Sequence, residues 1–442
     1  MIIAALLLLV TSLLVLRVNT GYLPEGLPQK GPYLSCVTEN SIIISWRTAT
    51  LDSSVVEYGL TAGYGSEEKD PFPKSAHSLA LTGLLPDTVY HYGVLFEGKQ
   101  TPDYTFRTAV PFGTPFEFAL LGDTRTQADS HLAVINELVG FDPYFNVHTG
   151  DLVENGYSED DWAVYFATIC SSVTCAQEIP FYYAIGNHEN ESPLYYDYVY
   201  LPHNNPDSTE SYYSFDYGNC HFISLDTEIA YWPSSPQYQW LEKDLQSVCD
   251  QTYVFAFMHD HPYCAGGHDS NIALRNALSP LFEQYKVDMV FSGHSHFYQR
   301  NGPINNVTYV IAAGGGAPLR TPADSSWTQY SEKTHHFVHF AVWPDSLKFK
   351  MIRTDGTNGD SLIYHAQEGP RVACGNVNRD DEVDVSDVVY LINYLFKGGE
   401  PPICPPEPYT CCADASGDTG TGLADVVYLI NFVFKSGPPP VC

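Results

Sequence analysis

Positive charge is scarce in this chain: 21 lysines and arginines stand against 52 aspartates and glutamates, a formal net charge of −31 over 442 residues. That balance repels nucleic-acid phosphates and anionic lipid, and it excludes polyanion binding through a broad basic face. No Gly-x-x-x-x-Gly-Lys loop occurs, which removes nucleotide-driven phosphoryl transfer. Long apolar runs are missing beyond Ile2–Leu16, and that one falls short of the ~20 residues of a bilayer span. It reads as a secretory leader within residues 1–20 of an exported protein; the lack of Lys or Arg before it and of an A-x-A site after it leaves an uncleaved anchor as the alternative. Charged residues make up only 17% against 44% hydrophobic, so disorder of the whole chain is excluded. The length suits about three domains at roughly 150 residues each.

What is present divides the chain. Residues 29–110 read as short strands between turns, with Ser41–Trp46 and Ser54–Tyr58 the clearest, which predicts a β-sandwich. Over residues 115–367 strands alternate with helices: strands at Phe116–Leu121, Tyr144–His148, Phe181–Ile185, Tyr253–Met258 and Val287–Phe291, helices at Ser130–Val139, Gln237–Val248 and Ile272–Tyr285. That is α/β architecture, whose ligand sites lie beyond the carboxyl ends of strands. Residues 373–442 hold a duplication, Asp387-Val-Val-Tyr-Leu-Ile-Asn393 recurring as Asp425-Val-Val-Tyr-Leu-Ile-Asn431, each copy an amphipathic helix. Of the 11 cysteines, Cys374, Cys404, Cys411, Cys412 and Cys442 crowd this tail, and a disulfide framework is expected. Cys36, Cys170, Cys175, Cys220, Cys249 and Cys264 lie upstream, and the odd total leaves at least one thiol free.

Five segments put metal-ligand residue types just past predicted strands: Gly122-Asp-Thr-Arg125, Gly150-Asp-Leu-Val-Glu-Asn-Gly156, Gly186-Asn-His-Glu189, Met258-His-Asp-His-Pro262 and Gly293-His-Ser-His-Phe-Tyr-Gln-Arg300. One such segment is usually a turn or a hydrogen-bonded histidine; five at the loop ends of α/β units point to a metal site. Mixed carboxylate, amide and imidazole donors suit Fe, Zn or Mn. With these motifs the chain resembles a calcineurin-like metallophosphoesterase, and within that superfamily the purple acid phosphatases, which implies a four-layer α/β catalytic domain. Leu81-Thr-Gly-Leu-Leu-Pro-Asp-Thr-Val-Tyr-His-Tyr92 is similar to the fibronectin type III turn and following strand, and to the domain that precedes such catalytic domains.

The resemblance implies that Asp123, Asp151 and His296 hold one metal and that Asp151, Asn187, His259 and His294 hold the other, with Asp151 bridging. It also implies that His188 protonates the leaving group while hydroxide from a water shared by the metals attacks phosphorus. His268 is a further candidate phosphate contact, or else a solvated loop histidine. At the position of the purple acid phosphatases' metal-binding tyrosine stands Glu154, and Arg125 replaces the histidine of the Asp-x-His pattern in other branches. Glu154, His131 or water would complete the first site, and Arg125 would contact substrate phosphate. The expected activity is phosphomonoesterase, acid phosphatase-like. The alternatives are a phosphodiesterase or nucleotidase on the same site, and a catalytically impaired metal-binding protein.

Other motifs have plainer readings. His335, His336 and His339 belong to an alternating strand, Gly314-Gly-Gly316 to a strand-end turn and Asp355–Asp360 to a hairpin. In the tail, oxygen donors at calcium-loop spacing fall on Asn376, Asn378, Asp380, Glu382 (carbonyl), Asp384 and Asp387. They recur on Asp414, Ser416, Asp418, Gly420 (carbonyl) and Asp425. Two such loops running into near-identical helices resemble a type I dockerin, which implies bound Ca2+ and a cohesin-like partner. The competing reading is a pair of acidic helix caps.

Overall fold

A computed structural model of the chain describes residues 28–248, 251–366, 377, 383–399, 415–416 and 421–435. The N-terminal region is a six-stranded antiparallel sheet. Two long strands, Ser41–Gly59 and Ser66–Thr82, form its central hairpin. The first half of Ser41–Gly59 pairs with Lys30–Ser35 and its second half with Val89–Phe96; a register shift between Arg47 and Ser54 separates the halves. The same long strand serves both sets of partners, so hydrogen bonds link all six strands. Trp46, fully buried, stacks on His77 at 4.7 Å, and the Tyr90 hydroxyl accepts the Leu85 N–H at 3.0 Å, bracing the corner. The sheet docks on the next region through Tyr33 Oη to Tyr198 O at 2.7 Å and Tyr92 Oη to Gln177 O at 2.7 Å.

The central region contains two mixed sheets, one of six strands and one of seven, facing each other across an aromatic core. Phe118 and Phe340 from the first sheet stack at 4.4 Å, and Phe118 meets Phe222 of the second edge-on at 5.2 Å. Strand alternation turns Val254, Ala256 and Met258 to the opposite face, where the helices Pro236–Ser247 and Ile272–Gln284 cover them with Leu241, Leu245, Leu274 and Leu278. The helix Ala128–Val139 buries Val134, Ile135 and Leu138. Phe116–Leu121, Phe145–His148 and Phe181–Tyr183 run parallel in one sheet, and Cys220–Leu225, Tyr253–Met258 and Met289–Ser292 run parallel in the other. Each of the five motifs follows the carboxyl end of one of these strands, which is where α/β sheets place ligand sites.

The cysteine expectation is corrected. Cys36, Cys170, Cys175 and Cys264 are free thiols. Their sulfurs are spent elsewhere: Cys36 Sγ faces Tyr200 O at 3.5 Å, Cys170 Sγ faces Pro32 O at 3.7 Å and Cys264 Sγ faces Gly266 O at 3.2 Å. Cys249 and the tail cysteines lie outside the described residues, as do the leader segment, Asn376, Asn378, Asp380, Glu382, Asp414, Asp418 and Gly420. No helix among the described residues is long and apolar enough to cross a membrane. In the tail, helices Val385–Lys397 and Leu423–Lys435 bury Val388, Leu391, Val426 and Leu429 in a small core of their own. Asp384 caps the first helix in a capping box with Asp387, whose Oδ2 accepts the Asp384 N–H at 2.8 Å. Asp425 Oδ2 accepts from Gly422 N at 2.7 Å and Asp425 Oδ1 from Ser416 N at 3.0 Å.

Candidate metal centre

Asp123, Asp151, His294 and His296 all have positive φ, between 50° and 71°. Non-glycine residues pay strain for that conformation, and here it turns four side chains inward from the strand ends. Glycines make the crowding possible. A Cβ on Gly293 would lie 2.6 Å from Asp123 Oδ2, and one on Gly186 would lie 2.5 Å from Asp151 N. The turn Gly314–Gly316 has the same purpose from outside, since a Cβ on Gly315 would meet Gly122 O at 2.4 Å.

On one side of Asp151, the His259 Nε2 lies 3.3 Å from Asp151 Oδ1 and 3.1 Å from Asn187 Oδ1. His294 Nδ1 lies 3.1 Å from the same amide oxygen and 3.2 Å from His259 Nε2. His259 Nδ1 donates to Thr149 O at 2.9 Å and turns Nε2 into this cluster, where, against burial, Asp151 and then Asp123 hold the imidazole well above its ordinary value. The Asp151, Asn187, His259 and His294 donor atoms thus converge on a point that calls for positive charge, met by a proton on His259 or by a bound cation. Tetrahedral bonds of ~2.0–2.1 Å to one cation require donor atoms ~3.3 Å apart, so the donor set fits a metal ion.

On the other side, Asp123, Asp151 and His296 bring donor atoms within 4.8 Å of one another, the one such group of three among the described residues. His296 Nδ1 donates to Pro318 O at 3.0 Å, so its Nε2 also carries an inward lone pair. Burial lowers His296 to about 4 and His294 to about 2, keeping both imidazoles neutral and available as ligands. Asp123 is pushed up by burial. Asp151 is held below the usual carboxylate range despite its burial, by His259, His188 and Arg125.

Glu154 and His131 do not complete this side. Glu154 Oε2 is taken by Arg125 and by Thr126 Oγ1, each at 2.5 Å. His131 is buried against Tyr165, with ring centres 5.8 Å apart, and lines a cavity of about 260 Å³ beside Arg125 and Glu154. Arg125 faces inward instead, its Nε 3.1 Å from Asp151 Oδ2. His188 Nδ1 donates to Glu154 O at 2.6 Å, leaving Nε2 toward the cleft and 3.9 Å from Asp151 Oδ2. His268 stacks on His294, ring centres 4.1 Å apart.

Glu189 was not singled out by the sequence reading, although it ends the Gly186–Glu189 motif. Fully buried, it accepts backbone N–H groups from Asp151, Leu152 and Gly186 at 2.8–2.9 Å, tying two motif loops together. Burial first, and Asp151 second, push its carboxyl up to about 8. Its signal was its adjacency to the motif, since an acidic residue beside a ligand is a common second-layer partner. Arg300 grips Asp360 through two bonds of 2.7 and 3.0 Å, fixing the end of the last motif.

A family model of calcineurin-like phosphoesterases matches residues 116–298. These residues form a calcineurin-like phosphoesterase catalytic domain. Residues 30–108 match the purple acid phosphatase N-terminal domain, so the phosphoesterase domain follows the partner it has in that family. An uncharacterized protein of Mycobacterium tuberculosis is 27% identical over 355 residues, covering 68% of this chain and 66% of its own length, so the match spans just under two thirds of that relative. A purple acid phosphatase of Glycine max is 30% identical over 268 residues, 55% of this chain and 56% of that protein. The structure of a purple acid phosphatase from yellow lupin seeds superimposes with a TM-score of 0.66 at 20% identity, covering 76% of this chain and 74% of the lupin chain, which shows a shared fold.

Proposed function

We propose that the protein is an exported, dinuclear metal-dependent phosphoric ester hydrolase acting on phosphomonoesters. The observation that carries this reading is the inward convergence of Asp151, Asn187, His259 and His294 beside the Asp123–Asp151–His296 triad. Bound Fe, Zn or Mn would supply Lewis-acid charge and lower the pKa of a shared water. The chain's own residues do the rest. Asp151 presents one oxygen to each half of the centre. Glu189 fixes the Asp151 loop through three of its backbone N–H groups. His188, oriented by the Glu154 carbonyl, presents Nε2 to the leaving oxygen and returns a proton to it. His268, beside His294, is placed to contact substrate oxygens. Similarity to named purple acid phosphatases supports the monoester class.

We place the domain boundaries at residues 29–110, 115–367 and 373–442, behind a leader in 1–20. For the tail, the buried Asp387 and Asp425 at matched positions support a duplicated calcium module docking to a cohesin-like partner, although both carboxylates also serve as helix-end acceptors. Circular dichroism of the tail fragment with and without calcium separates the two readings: a calcium-dependent rise in helix supports the module, and equal spectra leave the caps.

The test of the activity is metal analysis of the purified chain together with hydrolysis of a nitrophenyl phosphate monoester and the matching diester. Two transition-metal ions per chain and a faster monoester reaction are expected. A faster diester reaction would move the assignment to the phosphodiesterase class.

A further inference from the structure

Arg125 makes four contacts at the first half of the centre. Its Nε donates to Asp151 Oδ2 at 3.1 Å, one terminal nitrogen donates to Glu154 Oε2 at 2.5 Å and to Thr126 Oγ1 at 3.3 Å, and the other donates to His296 Nε2 at 3.3 Å. Its side chain is 11% exposed. Two of these acceptors, Asp151 Oδ2 and the His296 Nε2 lone pair, are atoms that an ion at this half would use. With Nδ1 committed to Pro318 O, His296 has a single inward lone pair. An ion ~2.1 Å from Nε2 along that lone pair would fall inside the contact radius of the guanidinium nitrogen. The arginine and the ion exclude each other there.

We propose that Arg125 is a built-in cation that competes with the ion of the first half, so that the centre loads unequally and phosphate completes it. The proposal rests on the metal-hydrolase reading above. The half made by Asp151 Oδ1, Asn187, His259 and His294 has no such competitor and fills first. A planar guanidinium pairs with phosphate oxygens as well as with carboxylates. Inorganic phosphate in the cleft draws Arg125 from Asp151 and His296 while Glu154 keeps it tethered, and the first half opens to its ion. By linkage, the ion and phosphate strengthen each other's binding.

The test uses the full chain, with excess calcium to occupy any hard-oxygen loops in the tail, and titrates Co2+ by calorimetry and visible absorption. The wild type is expected to take one ion tightly and a second more weakly. Arg125→Ala should tighten the second ion by about 10–100-fold. Glu154→Gln, which loosens the arginine without removing it, should move the same way by less and guards against misfolding of the first variant. Saturating inorganic phosphate should tighten the second ion in the wild type and not in Arg125→Ala. Equal second-ion affinity in the wild type and both variants would overturn the competition. A phosphate-independent second ion in the wild type would overturn the coupling. Failure of all three natively folded chains to bind any ion would overturn the metal-hydrolase reading, and this proposal with it.

Discussion

On one side of Asp151, Asn187 Oδ1, His259 Nε2 and His294 Nδ1 converge within 3.1–3.2 Å of one another with no arginine or lysine among them. On the other, Asp123 and His296 face Asp151 across a guanidinium. Both sides are buried at strand ends, and burial keeps His294 and His296 neutral while Asp151 draws positive charge onto His259. They differ in the source of compensating charge. The imidazole side takes its compensating charge as an exchangeable proton on His259 or as a bound ion, whereas the arginine side carries a fixed charge of its own. Similar residue types therefore make a site whose ion need displace only a proton and a site whose ion must displace an arginine.

The comparison is broken most completely at Asp151, which faces both halves. Asp151→Asn should release both ions and lower hydrolysis on the order of 10³-fold or more while far-ultraviolet circular dichroism stays native. Retained metal and normal turnover would mean that the bridging assignment is wrong. Next in size is His188→Ala. Loss of a positioned acid should slow hydrolysis by about 10²–10⁴-fold, with a larger loss for an alkyl phosphate than for a nitrophenyl phosphate, whose leaving group needs no proton. Equal losses on the two esters would remove His188 from the leaving-group side. A finer cut compares His259→Ala with Asp123→Ala by metal analysis after gel filtration. The first should abolish the tightly held ion, and the second should leave that ion in place and lose only the looser one.

Much of this centre was legible because ligand chemistry leaves marks in the sequence. Each candidate ligand follows a strand, and Gly150, Gly186 and Gly293 announce close approach before any distance is known. The strands Phe116–Leu121 and Tyr253–Met258 were read to the residue because apolar runs of that length are buried on both faces. What stayed hidden depends on partners far apart in the chain. Nothing local says that the Arg125 guanidinium reaches His296, or that Glu154 turns to that arginine and not to a metal. The cysteine count suggested cross-links, but counting cannot say that Cys36 and Cys170 point at the carbonyls of Tyr200 and Pro32. The N-terminal sheet shows the same limit, since strand composition does not reveal that Ser41–Gly59 pairs with different partners along its length.

His221 sharpens the comparison at the smallest scale, as a histidine that keeps its proton where His294 and His296 give theirs up. Its Nδ1 lies 2.7 Å from Asp216 and its Nε2 lies 2.9 Å from Asp244. Burial opposes the charge, yet Asp244 and then Asp216 raise the imidazole to about 10. The folded ring thus binds its proton more tightly than the unfolded one, whose ordinary value is near 6.5. The stabilisation is complete below that value and fades as pH climbs toward 10. Asp216 is 33% exposed, so removing the ring should cost near the lower end of the range for a broken buried pair, about 3 kcal/mol. Thermal unfolding of metal-free wild type should therefore show a falling midpoint between neutral pH and pH ~10, and His221→Gln should start lower and lose much of that slope. An unchanged slope in the variant would mean that His221 is neutral between its two carboxylates, and that buried histidines here are uncharged whether or not acidic groups enclose them.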